Sequence, residues 1–249
     1  KKKPYIINYK PSYFDKIIFK LIRSNHPNRF YAIYNENIKS DAKYKSAGFY
    51  QNSWNGYNNL FENLIFCGDS HSEFFSRIKY DDKNILCIWY GHTSLLTTYF
   101  DKSYLNHFNL IQYYLNIFPS NKKNKFIFSI GDTDIRFIFY KSLKLKTFKN
   151  IDDLLIKYTE ILDDYIKYLK TNINKFYSNS EIFFLEILLN DSHGYVTDNI
   201  DDLKIFIKHN NFVLLGSKND YFNWTNYVND IVKEACNKHN ITFIKTNYV

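Results

Sequence analysis

The chain has 249 residues, 45% of them apolar, which is enough for one substantial core or for one core with a small appendage. Its formal charge is +8, yet of 33 basic residues all but Arg23, Arg29, Arg77 and Arg136 are Lys; this reads as a solvated Lys surface, argues against nucleic acid as partner, and leaves an acidic glycan or sugar-nucleotide substrate compatible. No apolar run approaches the length of about 20 residues needed to span a membrane, and three cysteines, Cys67, Cys87 and Cys236, at spacings unlike a zinc site or a redox pair, point to the cytoplasm or another reducing compartment.

The first sixty residues are basic and irregular, broken by Pro4, Pro11 and Pro27, with one alternating run, Arg29 to Ile33, that has strand character. They are expected to form an extension packing on a main domain, 61–249. The opening KKKPYIINYK has no initiator Met and no apolar leader, and is expected to be a soluble piece of a longer chain. Twenty-three Tyr and 23 Phe among abundant Ile, Asn and Lys suggest an AT-rich genome, so aromatic richness alone says little about function.

From residue 60 a regular pattern begins. Apolar strands are expected at 63–67, 85–90, 126–130, 181–189 and 241–244. The first ends at Gly68 and leads into Asp69, Ser70 and His71; the second ends at Gly91 and His92; the third ends at Gly131 and leads into Asp132, Thr133, Asp134 and Arg136. A helix over 151–170 is capped by Asn150, carries Asp152 and Asp153 in its first turn, and shows an apolar stripe from Leu154 to Leu169 at steps of three and four. After the fourth strand comes the polar run Asn190, Asp191, Ser192, His193, Gly194. Segment 203–215 fits helix or strand, and a second helix over 223–238 places Trp224, Tyr227, Val228, Ile231, Val232, Ala235 and Cys236 on one face. Strands alternating with helices imply parallel pairing through crossovers, hence an α/β three-layer sandwich with about five parallel strands, flavodoxin-like in type.

In such sheets ligands bind beyond the carboxyl ends of the strands, which is where the polar clusters fall. A strand, then Gly-Asp-Ser, then a helix, with a later strand followed by Gly-x-x-Asp-x-Arg, resembles the SGNH (GDSL-like) hydrolase superfamily, and within it a subgroup with GDSHS and GEIDCR-like blocks associated with glycan modification. The resemblance covers about 60–249. It implies that Ser70 is the nucleophile and contributes a backbone N–H to an oxyanion hole, that Gly91 contributes another, and that Asp134 and Arg136 are the acid and Arg of the middle block. Two departures stand out. Thr133 occupies the place where the family has an Asn, and the chain ends at Val249 without the Asp-x-x-His that supplies the family's base. Either that block is lost by truncation or the catalytic apparatus differs; if the base lies within the present chain it is expected to be His92 or His193, with Asp191 or Asp69 orienting it. Asp69, Ser70, His92 and His193 are therefore the candidate catalytic residues, and His71, Gly91, Asp132, Thr133, Asp134, Arg136 and Asp191 the candidate substrate contacts. No metal ligand set is expected.

Plainer roles stand beside these. Ser70-x-x-Glu73 fits a helix capping box, Arg136 with Asp132 or Asp134 fits a buried ion pair locking a loop, and His26, His107, His209 and His239 read as surface or helix-end residues. Three functions fit the whole. The first is acyl-ester hydrolysis or transfer at a sugar hydroxyl through Ser70, with no cofactor. The second is S-adenosylmethionine-dependent methyl transfer to a sugar hydroxyl, which needs a base and positioning but no oxyanion hole. The third is a non-catalytic glycan-binding module stacking sugars on Trp54, Trp89, Tyr90 and Trp224.

Overall fold

In the computed structural model the described residues are 48–51, 62–68, 83–90, 94–100, 102–117, 123–188, 195–200 and 213–245. The elements in chain order are β1 (Gly48–Gln51), β2 (Glu62–Gly68), β3 (Lys83–Trp89), α1 (Leu95–Phe100), α2 (Leu105–Ile117) and β4 (Asn124–Ser129), followed by a π-helical turn (Asp134–Ile138) continuing into α3 (Phe139–Lys144). Next come α4 (Ile151–Phe176), β5 (Ser180–Leu185), β6 (Tyr195–Thr197), β7 (Val213–Leu215), α5 (Lys218–Lys238) and β8 (Thr242–Ile244). Six strands join in the order β1-β3-β2-β4-β5-β8, while β6 and β7 pair separately in parallel. This is an α/β fold on a parallel ladder. Leaving aside β1, which pairs antiparallel to β3 at the edge, the order is the flavodoxin-like 2-1-3-4-5, whose topological switch point lies between β2 and β4.

The chain divides into two compact units, one made of 1–93, 102–129 and 168–183 and the other of 94–101, 130–167 and 184–249. The first unit is organised by β2, which pairs in parallel with β3 on one side and β4 on the other. Ile65, Phe66 and Cys67 are all buried, as are Phe126, Ile127 and Phe128 of β4. Burial of consecutive rather than alternate residues is what a central parallel strand covered on both faces requires, and it is why these strands read as unbroken apolar runs. Register is specified at the other end of the pair, where Asn63 lies opposite Asn124 and donates from Nδ2 to its Oδ1 at 2.8 Å, both amides buried. A slip of one residue would leave two buried amides unpaired. Within this unit α2 buries Phe108, Leu110, Ile111 and Leu115, with Phe108 against the rings of Phe176 and Tyr177.

The expected strand at 181–189 stops at Leu185. The next backbone groups are taken up elsewhere: Glu186 N donates to Ile244 O, and Asn229 of α5 accepts from Ile187 N at 2.8 Å while donating to Ile187 O at 3.0 Å. A side-chain amide thus replaces the neighbouring strand. In this second unit α4 buries Leu154, Tyr158, Ile161, Leu162, Tyr165 and Ile166 along the expected stripe, and Asn150 Oδ1 caps it by accepting from Asp153 N at 2.9 Å. The stripe continues through Ile173, so the helix runs six residues past its expected end at 170. The last helix starts at Lys218 rather than 223, because Ser217 caps it, accepting from Asp220 N at 3.1 Å. With that start the buried face runs through Tyr221, Trp224, Val228 and Val232, and Tyr227 is exposed rather than on it. Of the ambiguous 203–215 segment, Val213–Leu215 is strand.

Strand β1 and helices α1 and α2 are elements the periodicity does not reveal. The possible strand at Arg29 to Ile33 and the Ser70-x-x-Glu73 capping box lie outside the described residues. Among the described residues no helix is long and apolar enough to cross a membrane.

Candidate functional site

In the first unit the carboxyl ends of three adjacent strands coincide. Gly68 is the register partner of Trp89 on β3 and of Ser129 on β4, so β2, β3 and β4 end level with one another. Gly68 is in a glycine conformation, φ +154°, and a β-carbon there would stand 1.8 Å from the Ser129 carbonyl oxygen. No side chain fits between these two backbones. Beyond β3, Tyr90 N donates to Gly68 O at 2.7 Å, fastening the residue after β3 to the one that precedes Asp69 and Ser70.

Tyr90 is itself buried, its ring stacked on His107 of α2 with centroids 4.2 Å apart and planes 8° from parallel. His107 is thus a helix-end residue, in the first turn of α2, but not a surface one: burial holds its imidazole neutral, with the pKa lowered to about 3. Cys67 alongside is an inert thiol, raised far above its ordinary range by burial, against which the hydrogen bond from Tyr90 acts only partly. Cys236 in the second unit is likewise buried and pushed up to about 12 by burial. His239 is a helix-end residue, as expected, bonded through Nε2 to Asp163 at 2.7 Å.

In the second unit, the block beginning at Gly131 forms a compact polar cluster. Gly131 has φ +109°, and a β-carbon on it would meet Ile187 Cδ1 at 2.8 Å and the Tyr158 hydroxyl at 3.1 Å. One helical turn follows and widens at Asp134–Ile138 into a π turn, closed by Phe139 N donating to Asp134 O. Such turns are uncommon and concentrate at functional sites. Here four polar positions within five residues, Asp132, Thr133, Asp134 and Arg136, are all at most 5% exposed, in a residue class that is seldom buried without partners.

Asp132 and Arg136 form the ion pair, Nε to Oδ2 at 2.7 Å, and Tyr221 Oη donates to the other oxygen of Asp132 at 3.2 Å. Asp134 does not share that cation. Its carboxylate faces the start of α1: Ser94 Oγ donates to Oδ1 at 2.6 Å, Leu95 N to Oδ2 at 2.8 Å and Leu96 N to Oδ1 at 3.0 Å, with Tyr158 Oη at 3.4 Å from Oδ2. Thr133 Oγ1 is fully enclosed and makes no hydrogen bond among the described residues.

The structure thus brings together four of the sequence-derived candidates, Asp132, Thr133, Asp134 and Arg136, and adds Ser94, Tyr158 and Tyr221, which nothing in the local sequence marks. Asp69, Ser70, His71, Gly91, His92, Asp191 and His193 lie outside the described residues. Two of the aromatics expected to stack sugars are corrected: Tyr90 is buried against His107, and Trp224 is buried beside Phe139, so neither ring is presented to a ligand. Among the described residues no group of His, Cys, Asp and Glu is arranged to hold a metal ion.

No protein-family model matches the chain, and no curated protein does. Among solved structures it is similar to a member of the lipolytic protein G-D-S-L family from Veillonella parvula DSM 2008, at 14% identity and a TM-score of 0.35 over 74% of this chain and 77% of that one. It is also similar to a protein from Streptococcus pneumonia named for platelet activating factor, at 16% identity and a TM-score of 0.37 over 76% of this chain and 68% of that one.

Proposed function

We propose that this chain is a glycan-modifying enzyme that works at a sugar hydroxyl, hydrolysing or transferring an acyl ester through Ser70. The observation that carries the reading is the level termination of β3, β2 and β4 at Trp89, Gly68 and Ser129, at the topological switch point. The three polar blocks of the sequence, at Asp69 to His71, at Gly91 and His92, and at Asp132 to Arg136, each begin within three residues of that edge.

In this reading Ser70 Oγ attacks the ester carbonyl carbon as its proton passes to His92 or His193. The C–O bond to the sugar breaks, the same imidazole returns the proton to the departing alkoxide, and the acyl group stays on Ser70 until water or a second hydroxyl takes it. Backbone N–H groups at Ser70 and Gly91 would stabilise the oxyanion, a contribution of about 3 kcal/mol per donor in comparable sites.

A second reading, methyl transfer from S-adenosylmethionine to a sugar hydroxyl, is favoured by one feature: the post-β4 block has Thr133, with its short enclosed hydroxyl, and no side-chain amide. Two measurements separate them. Ser70→Ala is expected to lower hydrolysis of p-nitrophenyl acetate and of an acetylated sugar by about 10³-fold or more, and calorimetric titration with S-adenosylhomocysteine is expected to give no heat up to about a millimolar. Unchanged ester turnover in Ser70→Ala overturns the acyl mechanism, and saturable one-to-one binding of S-adenosylhomocysteine replaces it with methyl transfer.

A further inference from the structure

The cluster after β4 holds an arrangement whose purpose is not explained by a loop-locking ion pair, since that role belongs to Asp132 and Arg136. Helix α1 has six residues, too short to persist on its own. Its first free amides must find acceptors, and they do so in an unusual way. Ser94 is the N-cap, with Oγ accepting from Thr97 N at 3.0 Å. In a capping box a Glu or Gln at the position of Thr97 would complete the set. Here the carboxylate comes instead from Asp134, 40 residues along the chain, which takes the Leu95 and Leu96 amides on separate oxygens and the Ser94 hydroxyl besides. The Leu95, Leu96 and Thr97 amides and the Ser94 hydroxyl are all matched, and both carboxylate oxygens are engaged, inside a site where Asp134 is fully buried.

We infer that Asp134 is a positioning residue for the reaction proposed above: it fixes Ser94 and the start of α1, and Ser94 stands two residues after His92 in the sequence. Asp134 itself touches no substrate. The catalytic half of this inference rests on the acyl reading above; the structural half does not. The charge matters as much as the shape, because two amides and a hydroxyl all donate toward one group and only a carboxylate accepts from all three.

Asp134→Asn tests it, since the amide keeps the volume and turns one acceptor into a donor facing other donors. Hydrogen exchange of the Leu95 and Leu96 amides is expected to accelerate about 10-fold or more, with exchange over 158–166 of α4 unchanged; no acceleration at 95 and 96 overturns the anchor. Ser94→Ala removes the hydroxyl's bonds to Asp134 and from Thr97 N and keeps the carboxylate, so it is expected to accelerate the same amides about threefold and to remain measurable if Asp134→Asn does not fold. With p-nitrophenyl acetate, kcat per folded molecule is expected to fall about 10- to 100-fold in Asp134→Asn with KM within about twofold. A purely structural role would lower the folded fraction and leave kcat per folded molecule unchanged, which would overturn the positioning role. A wild-type chain that releases no p-nitrophenol overturns the acyl reading and the catalytic half with it, and the exchange rates at 95 and 96 then support or overturn the anchor by themselves.

Discussion

Replacing Gly68 by Ala should injure the protein more than the same addition at Gly131 or Gly216. The added β-carbon would lie 1.8 Å from Ser129 O, 2.8 Å from Ser129 C and 3.2 Å from Ser129 N, all backbone atoms of the paired strand. No rotamer relieves such an overlap, so β2 and β4 must separate by more than an ångström at their carboxyl ends. Strain from a non-glycine residue at φ +154° contributes about 1–3 kcal/mol, overpacking about as much again, and loss of a ladder hydrogen bond about 1 kcal/mol. The sum, about 3–7 kcal/mol, is a large part of the stability of an ordinary domain. In urea, with an m-value of about 2–3 kcal/mol/M for a chain of this size, the midpoint should drop by about 1–3.5 M with the slope unchanged. Gly131→Ala is the internal control. It too needs a positive φ, but its nearest obstacle is the terminal methyl of Ile187, which can move, so it should lose less. A Gly68→Ala midpoint within about 0.3 M of wild type, or a larger loss in Gly131→Ala, would refute the reasoning from backbone approach.

Two further perturbations follow from the buried charges. His107 is held neutral, its pKa lowered from 6.5 to about 3, so the unfolded chain binds a proton that the folded chain refuses between those values. Its contribution is complete above pH 6.5 and is lost as pH falls toward about 3; His107→Phe, which keeps a ring against Tyr90, should therefore flatten the acid limb of the stability curve by up to about 1.4 kcal/mol per pH unit, and an unchanged limb in urea titrations across pH would contradict the assignment. Arg136→Met leaves the Asp132 carboxylate buried without its cation and should cost about 3–5 kcal/mol, while adding Asp132→Asn should recover much of the loss, a coupling that a double-mutant cycle in urea measures directly.

Local residue pattern specifies only what lies within a turn or two. The apolar runs of β2 and β4, the stripe and Asn150 cap of α4, and the glycine-bounded polar block after β4 were all legible, because periodicity and capping act over three or four residues. The same locality explains what was missed. Nothing near Leu95 announces α1, since half of its cap is supplied by Asp134. His107 reads as an ordinary helical polar residue until Tyr90, seventeen positions earlier, is laid on its ring. The strand at 181–189 reads longer than it is because the groups that replace its ladder come from Asn229. For the site, the motif located Asp132, Thr133, Asp134 and Arg136, but only the tertiary structure divided their work, giving Asp132 to Arg136 and Tyr221 and giving Asp134 to Ser94, Leu95 and Leu96. It also changed the meaning of Gly68, which in the sequence ends a strand and in the fold lets two backbones meet. Pairings of this kind depend on strand order and register, which are set by burial on both faces of the sheet at once, and no local pattern carries that information.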